Sequence, residues 1–128
     1  MTRVLREGNR PKGLTRLWLA TLNSRRGFQQ CYRSEAAFRQ EVWLACLLLP
    51  TGLWLGQDGV ERALLVGSVI VLLIVELLNT GIEVVVDRIG VERHHLSGFA
   101  KDVGSAAVFF GLVLLFSTWA LILWDRFF

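Results

Sequence analysis

Three long apolar segments dominate the 128-residue chain and restrict what it can fold into. Two of them are about twenty residues long, the length that a helix needs to cross roughly 30 Å of hydrocarbon. The third contains Pro50 and reaches that length only if its helix starts near residue 34; a membrane helix tolerates such a proline when neighbouring helices satisfy the freed carbonyl. Hydrophobic residues make up 53% of the chain and lie in blocks, unlike the periodic spread of a soluble domain. The sequence therefore predicts a single-domain, all-α membrane protein with membrane helices over residues 34–57, 63–86 and 101–125.

The positive charges concentrate ahead of the first apolar segment, where nine of the fourteen Lys and Arg precede Val42. Residues 1–13 are predicted to be a flexible tail without a cleaved signal. Residues 14–33 are predicted to be a basic amphipathic helix on the membrane surface. The positive-inside rule places this end and the second loop, residues 84–102, in the cytoplasm. No basic stripe interleaved with aromatic residues is present, which argues against a nucleic-acid partner.

Four polar side chains recur three, four and four residues apart within the second apolar segment: Glu76, Asn79, Glu83 and Asp87. At about 100° per residue they share one narrow stripe of a helix. A carboxylate inside a membrane costs roughly 2.5–3.5 kcal/mol on insertion scales, so this stripe calls for a functional explanation. The deepest carboxylate, Glu76, is a candidate general base. Glu83 lies nearer the cytoplasm and is a candidate Mg²⁺ ligand, with Glu35 as the second carboxylate.

Lys101 and Asp102 open the third membrane helix at the same level, and a cation there can bind phosphate. The chain contains no Walker motif, kinase Gly-rich loop or dinucleotide fingerprint, so any ATP site is of another type. His94 and His95 are adjacent and are expected to point in different directions, which makes them a weak metal pair.

Three segments, SEAAFRQE (34–41), VELLNTGIEVVVDRIG (75–90) and LSGFAKDVGSAAV (96–108), are similar to the motifs of bacterial diacylglycerol kinases, in the same order and spacing. This resemblance implies a homotrimer of three-helix subunits, each with a surface helix, in the bacterial inner membrane. It implies active sites shared between subunits on the cytoplasmic side. It also implies transfer of a phosphoryl group from Mg²⁺-ATP to the free hydroxyl of diacylglycerol, which gives phosphatidic acid.

The resemblance also assigns roles to individual residues. The catalytic residues are Glu76 and Asn79, and the metal ligands are Glu35 and Glu83. The positions matching nucleotide contacts are Arg16, Glu35, Glu83, Asp87, Glu92, His94, Lys101 and Asp102. The positions matching the lipid substrate site are Ala37, Phe38, Arg39, Gln40, Glu41, Glu76 and Ser105. The positions that depart from the family pattern are Asn23, Arg93, His95 and Phe99.

Two other functions remain open from the sequence. Undecaprenol kinases resemble this chain in fold and carboxylate motif, but the third membrane helix opens AKDVGSAAV here, which resembles the diacylglycerol kinases more closely. A small proton-coupled transporter also places a glutamate within a membrane helix. A transporter has no need of Glu35 or of Lys101 and Asp102, and its activity would not depend on a nucleotide.

Overall fold

A computed structural model describes residues 12–128 as four helices joined by short connections. They are α1 (Leu14–Ser34), α2 (Ala36–Leu55), α3 (Gly59–Ile89) and α4 (His95–Phe127). The prediction of an all-α protein is confirmed. Most of the predicted flexible tail, residues 1–11, lies outside the described residues.

One residue, Glu35, separates α1 from α2. The Nη1 atom of Arg39 donates hydrogen bonds to the carbonyl oxygens of Tyr32 and Arg33, at 2.8 and 2.9 Å. These carbonyls belong to the last turn of α1, where backbone carbonyls have no hydrogen-bond partners within the helix. The indole Nε1 of Trp43 donates to the hydroxyl of Tyr32 at 2.9 Å. Polar contacts from α2 therefore fix the direction in which α1 leaves the bundle.

The connection between α2 and α3 is a reciprocal helix cap. The carboxylate of Asp58 accepts a hydrogen bond from the backbone N–H of Glu61 at 2.8 Å, and the carboxylate of Glu61 accepts one from the N–H of Gln57 at 2.7 Å. Such caps satisfy the free N–H groups of a first helical turn. As a result α3 begins at Gly59, four residues before the predicted start at residue 63.

The central helix of the bundle is α3, which packs against α2 on one side and α4 on the other. The buried core between these helices consists of Ala45, Val69, Leu72 and Leu115. Trp119 of α4 packs against this core, and its Nε1 donates to the carbonyl of Leu65 and the hydroxyl of Ser68, each at 3.2 Å. The interface of α3 with α4 is therefore held by apolar packing and by a polar contact in its middle.

Within residues 12–128, two helices, α3 and α4, are long and apolar enough to cross a membrane. Only 22% of the most apolar stretch of α3 and 11% of that of α4 are buried within the chain. A core helix of a soluble protein would instead be covered by its neighbours. The two exposed apolar helices are therefore consistent with a membrane protein. The shorter helix α2 (Ala36–Leu55) carries a polar triplet near its start, Arg39, Gln40 and Glu41, which lowers its apolar character.

Both membrane-length helices extend beyond the hydrocarbon. With 31 residues in α3 and 33 in α4, a rise of about 1.5 Å per residue gives lengths of roughly 46 and 50 Å, well beyond the roughly 30 Å of hydrocarbon. The start of α4 at His95 precedes the predicted start at residue 101, because His94 caps the helix ahead of the apolar run. The ends of α3 and α4 that meet at residues 90–94 therefore form a solvent-exposed corner.

Candidate active site

The polar stripe on α3 forms a track that runs from the protein interior to the exposed corner. Glu76 is 7% exposed and is the buried end. Three residues on, the Nδ2 of Asn79 donates to the Oε1 of Glu83 at 3.4 Å. At the outer end the carboxylate of Asp87 accepts a hydrogen bond from the ammonium of Lys101 at 2.9 Å. Asp87 follows Glu76 by eleven positions, a distance of about 16 Å along the helix.

A second carboxyl group meets the buried end of the track. The side chain of Glu41, from α2, lies within hydrogen-bonding reach of the carboxyl of Glu76. Within the described residues, Oε2 of Glu41 is buried and has no hydrogen-bond partner. Two carboxyl groups can bond to each other only when one of them carries a proton, because an ionised carboxylate only accepts. The buried end of the site therefore holds two neighbouring carboxyl groups, those of Glu41 and Glu76.

The amide of Asn79 lies between α3 and α4. A Cβ atom built on Gly104 of α4 would overlap the Oδ1 of Asn79 and lie 3.3 Å from its Cγ. This oxygen is buried and accepts no hydrogen bond within residues 12–128. Buried polar atoms without partners are rare in folded proteins, so this oxygen calls for a structural or chemical explanation.

A cleft of about 470 Å³ opens beside the outer end of the track, between the end of α3 and the start of α4. This volume lies within the range of about 300–1,000 Å³ that small-molecule sites occupy. The first turn of α4 borders the cleft through Ser97 and Gly98, and the free N–H groups of a helix start favour anions. Four of the residues predicted to contact nucleotide line the cleft: Asp87, Glu92, His94 and Lys101.

The two histidines differ from the expectation that they point apart. Their rings stack with centroids 4.7 Å apart and planes 22° apart. The Nδ1 of His94 accepts a hydrogen bond from the backbone N–H of Leu96 at 3.1 Å and thereby caps α4. An accepting Nδ1 carries no proton, so the proton of a neutral His94 ring lies on Nε2, which remains available to a ligand. The expectation was wrong because His94 is the N-cap of α4, outside the helix, and only His95 belongs to the first turn.

Two other residues that were predicted to contact the nucleotide do not line this cleft within the single chain. Arg16 is exposed in the first turn of α1, and α1 packs against α2 and α3. Asp102 is exposed one residue beyond Lys101. Neither residue is among those that line the cleft within the described part of the chain.

The predicted lipid-contact positions are in diverse environments. Phe38 is fully buried, and its ring packs edge-on against Phe28 of α1 with centroids 5.2 Å apart. Its side chain therefore joins α1 to α2 and is not available to a lipid in this chain. Arg39 uses its Nη1 to cap α1. The remaining positions that are exposed on the surfaces of α2 and α4 are Ala37, Gln40 and Ser105.

The metal prediction has chemical support without a complete ligand set. Within residues 12–128 no three His, Cys, Asp or Glu side chains lie together as metal ligands. Glu35 occupies the N-cap position of α2 without a side-chain capping bond, and Glu83 lies beside Asn79. Mg²⁺ commonly uses one or two carboxylates and completes its shell with water and phosphate oxygens. The oxygen chemistry of the predicted ligands Glu83 and Glu35 is therefore compatible with a nucleotide-bound Mg²⁺, whereas the described residues offer no ligand set that would hold a metal by themselves.

One contact near the site was not predicted from the sequence. The thiol of Cys31, on α1, donates to the hydroxyl of Thr80, on α3, at 3.5 Å. Burial, and to a lesser extent the nearby carboxylates led by Glu35, raise the pKa of the Cys31 thiol above its usual range. The contact joins residues far apart in sequence, and no local pattern indicates it.

Helices of membrane length, a buried carboxylate track and a cleft at a helix start are typical of a membrane-embedded enzyme that acts on a phosphorylated substrate. Residues 22–123 match the family model described as prokaryotic diacylglycerol kinase. The chain is 45% identical to the diacylglycerol kinase of Escherichia coli K12, with 93% of this chain and 98% of the relative covered. It is 50% identical to that of Pseudomonas aeruginosa, with 87% and 90% covered, and 47% identical to that of Haemophilus influenzae, with 87% and 94% covered. The chain belongs to the prokaryotic diacylglycerol kinase family, and it is a kinase.

Proposed function

We propose that this chain transfers the γ-phosphoryl group of ATP to the free hydroxyl of diacylglycerol, giving phosphatidic acid and ADP, at the polar track of α3. The observation that supports this assignment is that one stripe of α3 runs from a buried carboxylate, Glu76, to an open cleft beside Lys101. A lipid hydroxyl approaches from the apolar side and a nucleotide from the aqueous side. The family membership and the names of the relatives agree with this activity.

In the proposed reaction, Glu76 is the general base. Its carboxylate takes the proton of the lipid hydroxyl as that oxygen bonds to the γ-phosphorus, and the bond from phosphorus to the β,γ-bridging oxygen breaks to release ADP. Positioning and charge neutralisation provide most of the catalysis in such transfers. Glu41 is close enough to share the proton with Glu76. A Mg²⁺ ion bound with ATP would neutralise charge on the phosphates, with Glu83 and Glu35 as its carboxylate ligands.

The cleft is the proposed site for the nucleotide. Lys101 presents an ammonium to it, and the N–H groups at the start of α4 favour phosphate oxygens. The Nε2 of His94 is directed by the cap at Nδ1 and is a candidate donor to the nucleotide. Arg16 and Asp102 do not line the cleft of their own chain, so their proposed nucleotide contacts require the ligand or a neighbouring subunit to reach them.

For the whole protein we propose three membrane helices, with α2 as the first, and α1 on the cytoplasmic surface of the bacterial inner membrane. In α1, Leu14, Leu17 and Trp18 are exposed and available to a bilayer. The basic residues of this end fit an anionic inner surface. The large apolar surfaces that remain exposed on α2, α3 and α4 support a homotrimer in which neighbouring subunits share active sites.

The deciding experiment is phosphate transfer from labelled Mg²⁺-ATP by the purified protein in mixed micelles, with diacylglycerol and undecaprenol supplied separately. Labelled phosphatidic acid with little labelled polyprenol supports the proposal. A preference for undecaprenol would keep the mechanism and replace the substrate. Transfer to neither lipid would contradict a kinase mechanism at this site and favour a proton-coupled transporter.

A further inference from the structure

The contact between Asn79 and Gly104 gives the active site a positioning residue. We propose that Gly104, on α4, holds the Asn79 amide in the orientation that the transfer reaction needs. It does so through the space that its missing side chain leaves. This inference rests on the proposed function, because it concerns the same site and assigns no new substrate.

The first argument is shape. The place that a Cβ would occupy on Gly104 is filled by the side chain of Asn79, whose Oδ1 it would overlap. No other side chain lies within 4 Å of that place. Any larger residue at position 104 would therefore have to displace the amide, or α4 would have to move away from α3.

The second argument is the chemical direction of the amide. Glu83 as a carboxylate only accepts hydrogen bonds, so the nitrogen of Asn79 has to face it, and the structure places them 3.4 Å apart. With the nitrogen committed to Glu83, the oxygen is left on the side of Gly104. That oxygen is buried and accepts no hydrogen bond from any described residue. The orientation of the amide is therefore fixed on one side by Glu83 and on the other by the space at Gly104.

A methyl group at position 104 would break this arrangement. The amide of Asn79 would be displaced from the space at Gly104, and its nitrogen would lose its hydrogen bond to Glu83. Glu83 is the proposed Mg²⁺ ligand, so it would lose the neighbour that orients it. The nucleotide cleft would remain intact, because neither Asn79 nor Gly104 lines it.

The test is the Gly104→Ala variant, compared with Gly111→Ala. Gly111 lies two turns further along α4 in the same interface with α3, and its added Cβ would meet the side chains of Leu72 and Val75 and the Cα of Leu72, at 3.3 Å or more. Both variants add the same methyl group between the same two helices. Only Gly104→Ala reaches the amide.

We expect Gly104→Ala to lower kcat about 100-fold, the size that a displacement of about 1 Å in an active site can produce. We also expect it to need more Mg²⁺ for half-maximal activity and to keep the KM for ATP. Gly111→Ala should keep the Mg²⁺ requirement and kcat of the wild-type protein. Equal kcat and Mg²⁺ dependence in the two variants would overturn the inference.

A double variant separates positioning from loss of folding. If Gly104 acts through Asn79, then Gly104→Ala added to Asn79→Ala should lower kcat no further, because the amide is already gone. An additional loss equal to that of Gly104→Ala alone would show that the glycine acts by another route, and would overturn the inference. An inactive wild-type protein in the same assay would contradict the proposed function itself, whereas an active wild type with a fully active Gly104→Ala would contradict only the positioning role.

Discussion

At the scale of single residues, the most informative pair is Glu41 with Glu76. Each is an acidic side chain, and the two come from different helices to the same buried point. Two ionised carboxylates this close together would repel each other strongly in a medium of low dielectric constant. One proton held between the two carboxyl groups would remove this repulsion. Glu76, the proposed general base, would then have a neighbour that stabilises it inside the membrane.

Replacing Glu76 by glutamine tests the base directly. Glu76→Gln keeps the size of the side chain and removes its ionisation, so kcat should fall about 100- to 10,000-fold, the range for loss of general base catalysis. The measurement is the initial rate of phosphatidic acid formation in mixed micelles. The matched control is Glu61→Gln at the other end of α3, where a glutamine oxygen can still accept the N–H of Gln57. Equal activity of both variants would contradict the role of Glu76.

The thiol of Cys31 offers a test of how α1 packs. Because burial is the main cause that raises its pKa, the protonated thiol persists to higher pH than in an ordinary cysteine. Alkylation requires the thiolate. In a Cys46→Ala background, iodoacetamide should label Cys31 slowly in native micelles at pH 9 and rapidly after unfolding in detergent. The raised pKa also affects the free energy of unfolding. The stability contributed by this thiol is fully present below the ordinary pKa of a cysteine, and it is lost as pH rises through the raised pKa of Cys31. Equal labelling rates in the native and unfolded protein would show that α1 does not cover Cys31.

At the scale of helices, the sequence predicts which segments are helical better than it predicts their ends. The apolar run suggests a start at residue 63 for α3, but the Asp58 cap starts the helix at Gly59. The apolar run likewise suggests a start at residue 101 for α4, but His94 caps it so that it begins at His95. Membrane hydropathy is a property of the middle of a helix, whereas its ends are set by hydrogen bonding of individual side chains.

For the candidate active site as well, the sequence predicts some features and not others. The spacing of Glu76, Asn79, Glu83 and Asp87 predicts a stripe because one helix contains all four residues. The contacts of that stripe with Glu41 and Gly104 could not be predicted, because they depend on how each helix is rotated about its axis. Apolar surfaces that face lipid or protein have similar compositions, so the sequence pattern of a membrane helix defines this rotation poorly.

A tryptophan in the middle of the bundle tests how α4 is attached to α3. Trp119→Phe removes both hydrogen bonds of Nε1, to Leu65 and Ser68, and keeps most of the ring. The free energy of unfolding should fall by about 0.6–1.7 kcal/mol, the range for such bonds in membrane proteins. The measurement is unfolding in mixed micelles by increasing amounts of denaturing detergent. Trp124→Phe is the matched control, since Trp124 is exposed and stacks only on Phe128 within the described chain. A larger loss in the control would contradict this role of Trp119.

At the scale of the whole molecule, one chain does not bring together every residue that the reaction is proposed to use. Lys101 and Asp87 meet beside the cleft, while Arg16 lies on α1 and does not line it. Large apolar side chains on the three long helices remain exposed, where lipid or another subunit can cover them. Both features are expected if the functional unit is the proposed trimer and α1 of one subunit approaches the cleft of another.

Mixing inactive subunits tests this sharing. Arg16→Ala and Glu76→Gln chains, purified and reassembled together, should regain part of the wild-type activity if Arg16 serves the cleft of a neighbour. The control mixture of Lys101→Ala with Glu76→Gln should stay inactive, because Lys101 and the track of Glu76 belong to the same chain. Activity in neither mixture would indicate that each subunit carries a complete site of its own.

The single residue between α1 and α2 has a mechanical consequence. Glu35 is at once the single residue that separates the two helices in sequence and the proposed Mg²⁺ ligand at the start of α2. Because Glu35 directly follows the last residue of α1, a change in the tilt of α1 on the bilayer would move the backbone of Glu35. The charge of the membrane surface that α1 contacts would thus bear on the position of the proposed Mg²⁺ ligand.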